Sequence, residues 1–140
     1  IVYIARNGSS RAMNTGYVLG SRVQAQVTAA GLLMLSMREP AWLEKWLDSH
    51  ELKAYTSYTI ASKDRLRIEL ARVRSQGWAI SEQQLELNYR GIAVPLRDRH
   101  GEVAGALSVT MPMGHESSEE AVGRVLSVLR ETAQAMRNLI

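Results

Sequence analysis

Ser108 and Thr110 lie two residues apart in a run of alternating side chains, so on a strand both hydroxyls share one face. A hydroxyl donates one hydrogen bond and accepts others, which suits it to a polar ligand atom. A hairpin over this region places Tyr89, Gly91, Ala93 and Pro95 on that same face, beside Ala104 and Ala106. Small side chains leave space above a sheet. A hollow, mostly apolar surface with a few polar groups is what a small-molecule site needs. The same alanines and glycine equally suit close packing of a helix, and the residues alone leave both readings open.

A second feature precedes Ala29-Ala30-Gly31-Leu32-Leu33-Met34-Leu35, an apolar segment of helical character with Thr28 as its N-cap. The first N–H groups of a helix lack intrahelical partners. At Ala29, Ala30 and Gly31 the small side chains leave those groups accessible, and a helix start of this kind binds carboxylates. A start simply capped by Thr28 explains the same residues.

Other chemistry finds no support. His50, His100 and His115 share no metal-ligand spacing and read as surface residues. Gly101, Gly105 and Gly114 form no phosphate-binding loop, and no serine has the nucleophile-elbow pattern. Cysteine is absent, which removes disulfides, thiolate metal sites and a cysteine nucleophile. Glu82 with Glu86, and Glu119 with Glu120, are explained by exposure or capping. Tyr55 to Thr59 reads as a loop. No enzyme activity, metal or cofactor is expected.

The elements that must position these groups are legible from pattern. Residues 2–6 read as a strand, Asn7-Gly8-Ser9-Ser10 as a turn, and Arg11 to Leu19 as a second strand closed by Gly20-Ser21. Pro40 suits the first turn of a short helix carrying Trp42, Leu43, Trp46 and Leu47 on one face. Ser62 caps a third helix with Leu66, Leu70 and Val73 inward, Arg72 and Arg74 in its last turn and Gly77 as its stop. Ser117-Ser118-Glu119-Glu120 is a capping box. It opens a helix whose stripe, Val122, Val125, Leu126, Leu129, Ala133 and Met136, buries against a sheet or a partner. The hairpin runs from Tyr89 to Asp98 and from Val103 to Thr110, turning at Arg99-His100-Gly101-Glu102. An even-numbered loop faces Ile92 with Val109 and Val94 with Leu107, with Leu96 on their side, a bulky face suited to a core. Helices mixed with hairpins predict an α+β domain with an antiparallel sheet.

Composition is consistent with one such domain. The chain has 140 residues, is 46% hydrophobic and 22% charged, and carries a net charge of +3. That supports one substantial core, and the charge is too interspersed for a nucleic-acid surface. No apolar run is long enough to span a bilayer, and no signal peptide is evident. The opening Ile1-Val2-Tyr3-Ile4-Ala5 reads as a strand already under way, so the chain is expected to be cut from a longer protein.

Several stretches, in order, resemble one family. Gly20-Ser21-Arg22 followed by Thr28 to Leu35 looks like the IclR family's run into its first effector-domain helix. Thr56 to Thr59 and a helix ending Val73-Arg74-Ser75-Gln76-Gly77-Trp78 are similar to its next landmark. Gly91 to Asp98, Gly101 and Ala106-Leu107-Ser108-Val109 resemble its closing hairpin. Tyr3-Ile4-Ala5-Arg6 and Arg11-Ala12-Met13 look like the PcaR/PobR branch, which senses aromatic acids and β-ketoadipate-pathway products.

The resemblance implies a GAF-like α+β effector-binding domain over residues 1–140, with an antiparallel sheet flanked by helices. It implies an N-terminal winged helix-turn-helix, absent from this chain, through which alone DNA is bound. It also implies a cytoplasmic homodimer or homotetramer, without membrane or cofactor, that takes a small organic acid. By alignment the ligand-binding positions are Ala29 and Ala30 at the helix start, Gly91, Ser108 and Thr110 on the strands, Ser81 after the long helix, and Tyr89 lining the pocket. The chain departs from the family at Ser81, often acidic, at Gly91, sometimes polar or thiol, at Leu32 after Gly31, and at Asn88-Tyr89. Losing a carboxylate and bulk while gaining Tyr89 favours a larger, anionic, aromatic ligand. The competing readings are a GAF- or PAS-type module binding a nucleotide or cofactor, and an interaction domain whose last helix dimerises.

Overall fold

A computed structural model describes residues 1–8 and 17–140. Its sheet has three antiparallel strands in the order β1 (Ala79–Glu82), β2 (Tyr89–Arg97), β3 (Val103–Pro112). The described residues also form four helices, α1 (Ala29–Ser36), α2 (Pro40–Ser49), α3 (Lys63–Gln76) and α4 (Ser118–Met136), of which α1 and α4 pack on the sheet.

Side-chain size on the two sheet faces decides what covers each. The branched face carries Ile92, Val94, Leu96, Leu107 and Val109 and packs against α4 through Ala121, Leu129, Ala133 and the flanking Val122, Val125 and Leu126. The expected stripe therefore buries against the sheet. On the opposite face, Ala79, Ala93 and Ala106 admit α1, whose Ala29, Leu32, Leu33 and Leu35 join Leu66, Leu70 and Val73 of α3 in a second core. Covered by the sheet on one side and α3 on the other, α1 is apolar nearly all round, as a buried helix must be. Each fully buried leucine in this layer contributes about 1.5–3 kcal/mol relative to exposure.

The helix ends follow the expected chemistry. Thr28 Oγ1 accepts from Gly31 N at 3.0 Å. Ser62 caps α3, and Gly77 ends it at φ +77°, a left-handed conformation that favours glycine. Ser117 and Glu120 complete the capping box of α4. Gly31 answers a close approach, because a Cβ there would lie 2.0 Å from the carbonyl oxygen of Ala25 in the 3-10 turn Ala25–Val27. On α2, Leu47 is buried, while Trp42 is exposed beneath the Arg38 guanidinium 4.9 Å from its ring.

The hairpin keeps its expected register by a different route. Ile92 pairs with Val109 and Val94 with Leu107, but the loop is odd-numbered. Gly101 N donates to Asp98 O and Asp98 N to Glu102 O, with Gly101 at φ +87°. That is a three-residue loop with glycine in the left-handed position. A bulge, where Leu96 pairs with Gly105 but Arg97 with Val103, takes up the extra residue and restores the two faces.

Two expectations are corrected, one falls mostly outside the described residues, and one strand was missed. Residues 2–6 make a single bridge, Val2 with Arg22, flanked by Tyr3 N–H to Ser21 O, because Gly20 turns the partner segment away at φ +84°. The second strand expected over Arg11 to Leu19 lies largely, and the turn Asn7-Gly8-Ser9-Ser10 partly, outside the described residues, and Leu19 itself is in a turn. Strand β1 went unread, since four residues after a helix stop are too few to show a period. Finally, Glu82 is not explained by exposure. Its Oε2 accepts from Arg90 Nε and Nη2 at 3.1 and 2.7 Å, and Ser118 Oγ donates to its Oε1. Arg90, 2% exposed, also donates through Nη1 to the carbonyls of Glu116 and Ser117 at 3.0 and 2.9 Å. This buried cation fastens the start of α4 to the sheet.

Candidate ligand-binding site

Strand register aligns the expected site residues in two rows. Ser81, Gly91 and Thr110 stand side by side across the three strands, and Ala79, Ala93 and Ser108 form the next row. The first turn of α1 rests directly on the Gly91 row. A Cβ built on Gly91 would be 3.3 Å from Ala29 Cβ and 3.8 Å from Thr110 Oγ1. The fold thus brings Ala29, Gly91 and Thr110 together, although they are far apart in sequence.

The two rows differ in what lies above them. Over Ala93, which is fully buried, and Ala106, α1 fills the space, so close helix packing accounts for those small residues. Toward the other end Gly91 and Tyr89 are half-buried and Thr110 is exposed, while Ser108, in the row of Ala93, is half-buried at the sheet's β3 side. Tyr89 is delivered by the β1–β2 connection, in which Gln83 N–H donates to Tyr89 O at 2.8 Å and Asn88 adopts φ +65°. Ser81 is buried and already employed: its Oγ donates to Val27 O at 3.1 Å, tying the 3-10 turn to β1.

At the helix start, Thr28 satisfies only Gly31 N, while Leu32 N returns to Thr28 O. The N–H groups of Ala29 and Ala30 have no hydrogen-bond partner among the described residues. Two donors with fixed direction at the positive end of a helix dipole can hold an anion. The hydroxyls of the nearby loop are not available in the same way. Thr56 Oγ1 donates to Gln83 O, and Thr59 Oγ1 donates to Gln84 O at 2.6 Å.

Two surface clefts lie away from these seven residues. The larger, about 420 Å³, is walled by Tyr17, Trp46, His50 and Tyr55, with Arg22 at its edge. His50 stacks on Trp46 with ring centroids 4.4 Å apart. Burial raises the pKa of the Tyr17 phenol above the ordinary tyrosine value, and Glu86 adds to the shift. This aromatic wall was not read from the sequence, because its members come from three separate segments. The smaller cleft, about 220 Å³, lies between β2 and the end of α4. No group of histidine and acidic side chains suited to a metal occurs among the described residues, nor is any helix there long and apolar enough to cross a membrane.

Fold and site together define an α+β domain with a helix start set on a small-residue sheet. The family described as "Bacterial transcriptional regulator IclR C-terminal" matches residues 1–138, and the chain belongs to it. Among its relatives, the Pca regulon regulatory protein of Pseudomonas putida is 35% identical over 130 residues, 92% of this chain and 45% of that protein. The p-hydroxybenzoate hydroxylase transcriptional activator of Acinetobacter baylyi is 29% identical over 138 residues, 99% of this chain and 51% of that protein. The chain thus spans about half the length of these relatives. A solved structure, the double mutant of the PobR inducer-binding domain from Acinetobacter with 3-hydroxybenzoic acid, superposes with a TM-score of 0.87 at 30% identity. It covers 94% of this chain and 75% of that one.

Proposed function

We propose that residues 1–140 are the effector-binding domain of an IclR-type transcription regulator and sense a small aromatic carboxylate. The observation that carries this reading is the pair of unpartnered N–H groups at Ala29 and Ala30 in a helix turn resting on Gly91 and Thr110. The carboxylate oxygens accept from those N–H groups and from the hydroxyls of Ser108 and Thr110. Tyr89 supplies an aromatic wall, and Ser81 shapes the floor by holding Val27. The absence of a carboxylate at Ser81 and of bulk at Gly91 favours an anion of benzoate size. The relatives named for Pca and p-hydroxybenzoate regulation, and the neighbour that holds 3-hydroxybenzoic acid, support an aromatic acid.

Such a domain is a sensor without catalytic residues or a cofactor. In the whole regulator, a cytoplasmic dimer or tetramer, occupancy shifts an equilibrium between quaternary arrangements and so repositions N-terminal winged helix-turn-helix domains on DNA. A differential affinity of a few kcal/mol suffices for that switch.

Calorimetric titration with hydroxybenzoates and dicarboxylates tests the reading. Ser108→Ala should weaken binding by about 1–3 kcal/mol, because a buried ligand oxygen loses its partner. An unchanged dissociation constant removes Ser108 from the site, and tight binding of neutral ligands alone contradicts the carboxylate reading.

A further inference from the structure

Among the buried polar side chains of the described residues, Gln26 is the exception in lacking partners. The residue is 1% exposed, and neither amide atom, Nε2 nor Oε1, has a hydrogen-bond partner. Other buried polar side chains are satisfied. Ser36 donates to Leu33 O, Thr59 to Gln84 O and Ser81 to Val27 O, Gln84 Oε1 accepts from Ile60 N, and Arg90 is held as described. Folded interiors leave few such groups unmatched, and each one calls for an explanation.

The place of Gln26 in the fold supplies one. It lies in the 3-10 turn that enters α1, two residues before the Thr28 cap and three before the unpartnered N–H of Ala29. That turn is fixed on both sides. Ala25 O packs against Gly31, and Val27 O accepts from Ser81 Oγ. The chain thus holds a buried, unmatched amide in the turn that packs on α1 and leads into its candidate anion site.

We propose that Gln26 is a specificity residue of that site, whose amide meets a hydroxyl on the acid held at the start of α1. This rests on the effector reading above. A primary amide offers donors and an acceptor together, and a hydroxyl answers both kinds. A second carboxylate answers only the donors and sets its lone pairs against Oε1. A bare ring edge answers neither, and a site built to hydrogen-bond a hydroxyl rejects the analogue lacking it. The ligand class is therefore a hydroxy-substituted aromatic monoacid.

Calorimetric dissociation constants for 4-hydroxybenzoate, 3-hydroxybenzoate and benzoate, measured on the 140-residue chain and on Gln26→Met and Gln26→Leu, test this. The wild type should favour at least one hydroxybenzoate over benzoate. Both variants should lose that preference, weakening the favoured acid roughly tenfold while leaving benzoate unchanged. Both should also melt at or above the wild-type temperature, since an unmatched buried amide has been removed. If the wild type shows the preference and the variants retain it, Gln26 has no role in it, while the effector reading stands. Wild-type binding of benzoate as tight as that of both hydroxybenzoates overturns the proposal without any variant. Failure of the wild type to bind any of the three overturns both readings.

Discussion

Ala29 Cβ lies 3.3 Å from the position a Cβ would take on Gly91, so the first turn of α1 is set on β2 with no atom to spare. A glycine in a strand is locally unfavourable, but here it lets a helix start approach the sheet at the row that carries Thr110. The contact joins the two features that the candidate site requires.

Gly91→Val should therefore act on both stability and binding. Branched carbons at this position must push α1 off the sheet, at a cost of about 1–3 kcal/mol for overpacking. Urea denaturation reads the loss of stability. Titration with a hydroxybenzoate should show a weaker complex, and full wild-type stability would mean that α1 is free to shift.

The Arg90 cluster fastens α4 to the opposite sheet face. Arg90→Met keeps the length of the side chain but removes the cation from the half-buried Glu82 carboxylate, which retains only Ser118, and the guanidinium donors from the carbonyls of Glu116 and Ser117. Breaking one side of a buried pair costs about 3–5 kcal/mol. The expected result is a lower thermal midpoint, with partial recovery in the double variant Arg90→Met with Glu82→Gln, which removes the stranded charge.

Stability should also fall in acid through Glu116. A bidentate hydrogen bond from Arg124, with Nε and Nη2 each at 2.8 Å, holds its carboxyl below the usual carboxylate pKa, and the positive charge of Arg90 adds to this. A depressed folded value means that the contribution is complete above the unfolded value and is lost as pH falls through the folded one. Glu116→Gln should thus melt below the wild type at neutral pH and converge with it in acid. A constant gap across the series would contradict the assignment.

Much of the fold could be read from local pattern because its signals are short-range. Thr28, Ser62, Ser117 with Glu120, and Gly77 mark helix ends by chemistry within three or four residues. The Ile92–Val109 and Val94–Leu107 pairing follows from alternation. What escaped depends on contacts distant in sequence. Glu82 looked like an exposed acid until the start of α4 arrived beside it, β1 needed β2 to declare it a strand, and the bulge at Leu96–Arg97 compensates for an odd loop. The site was half legible. Periodicity found the small face and helix-end chemistry found Ala29 and Ala30, but only the packed chain separates the stretch that α1 fills, over Ala93, from the more open end at Gly91 and Thr110. The unmatched amide of Gln26 had no sequence signal at all.

Backbone chemical-shift mapping with a hydroxybenzoate tests the placement of the effector most directly. The largest perturbations should fall on the amides of Ala29, Ala30, Gly91 and Thr110, with those of Gln26 and Ser108 following. Perturbations confined to Tyr17, Trp46, His50 and Tyr55 would instead seat the acid in the aromatic-walled cleft and contradict the helix-start site.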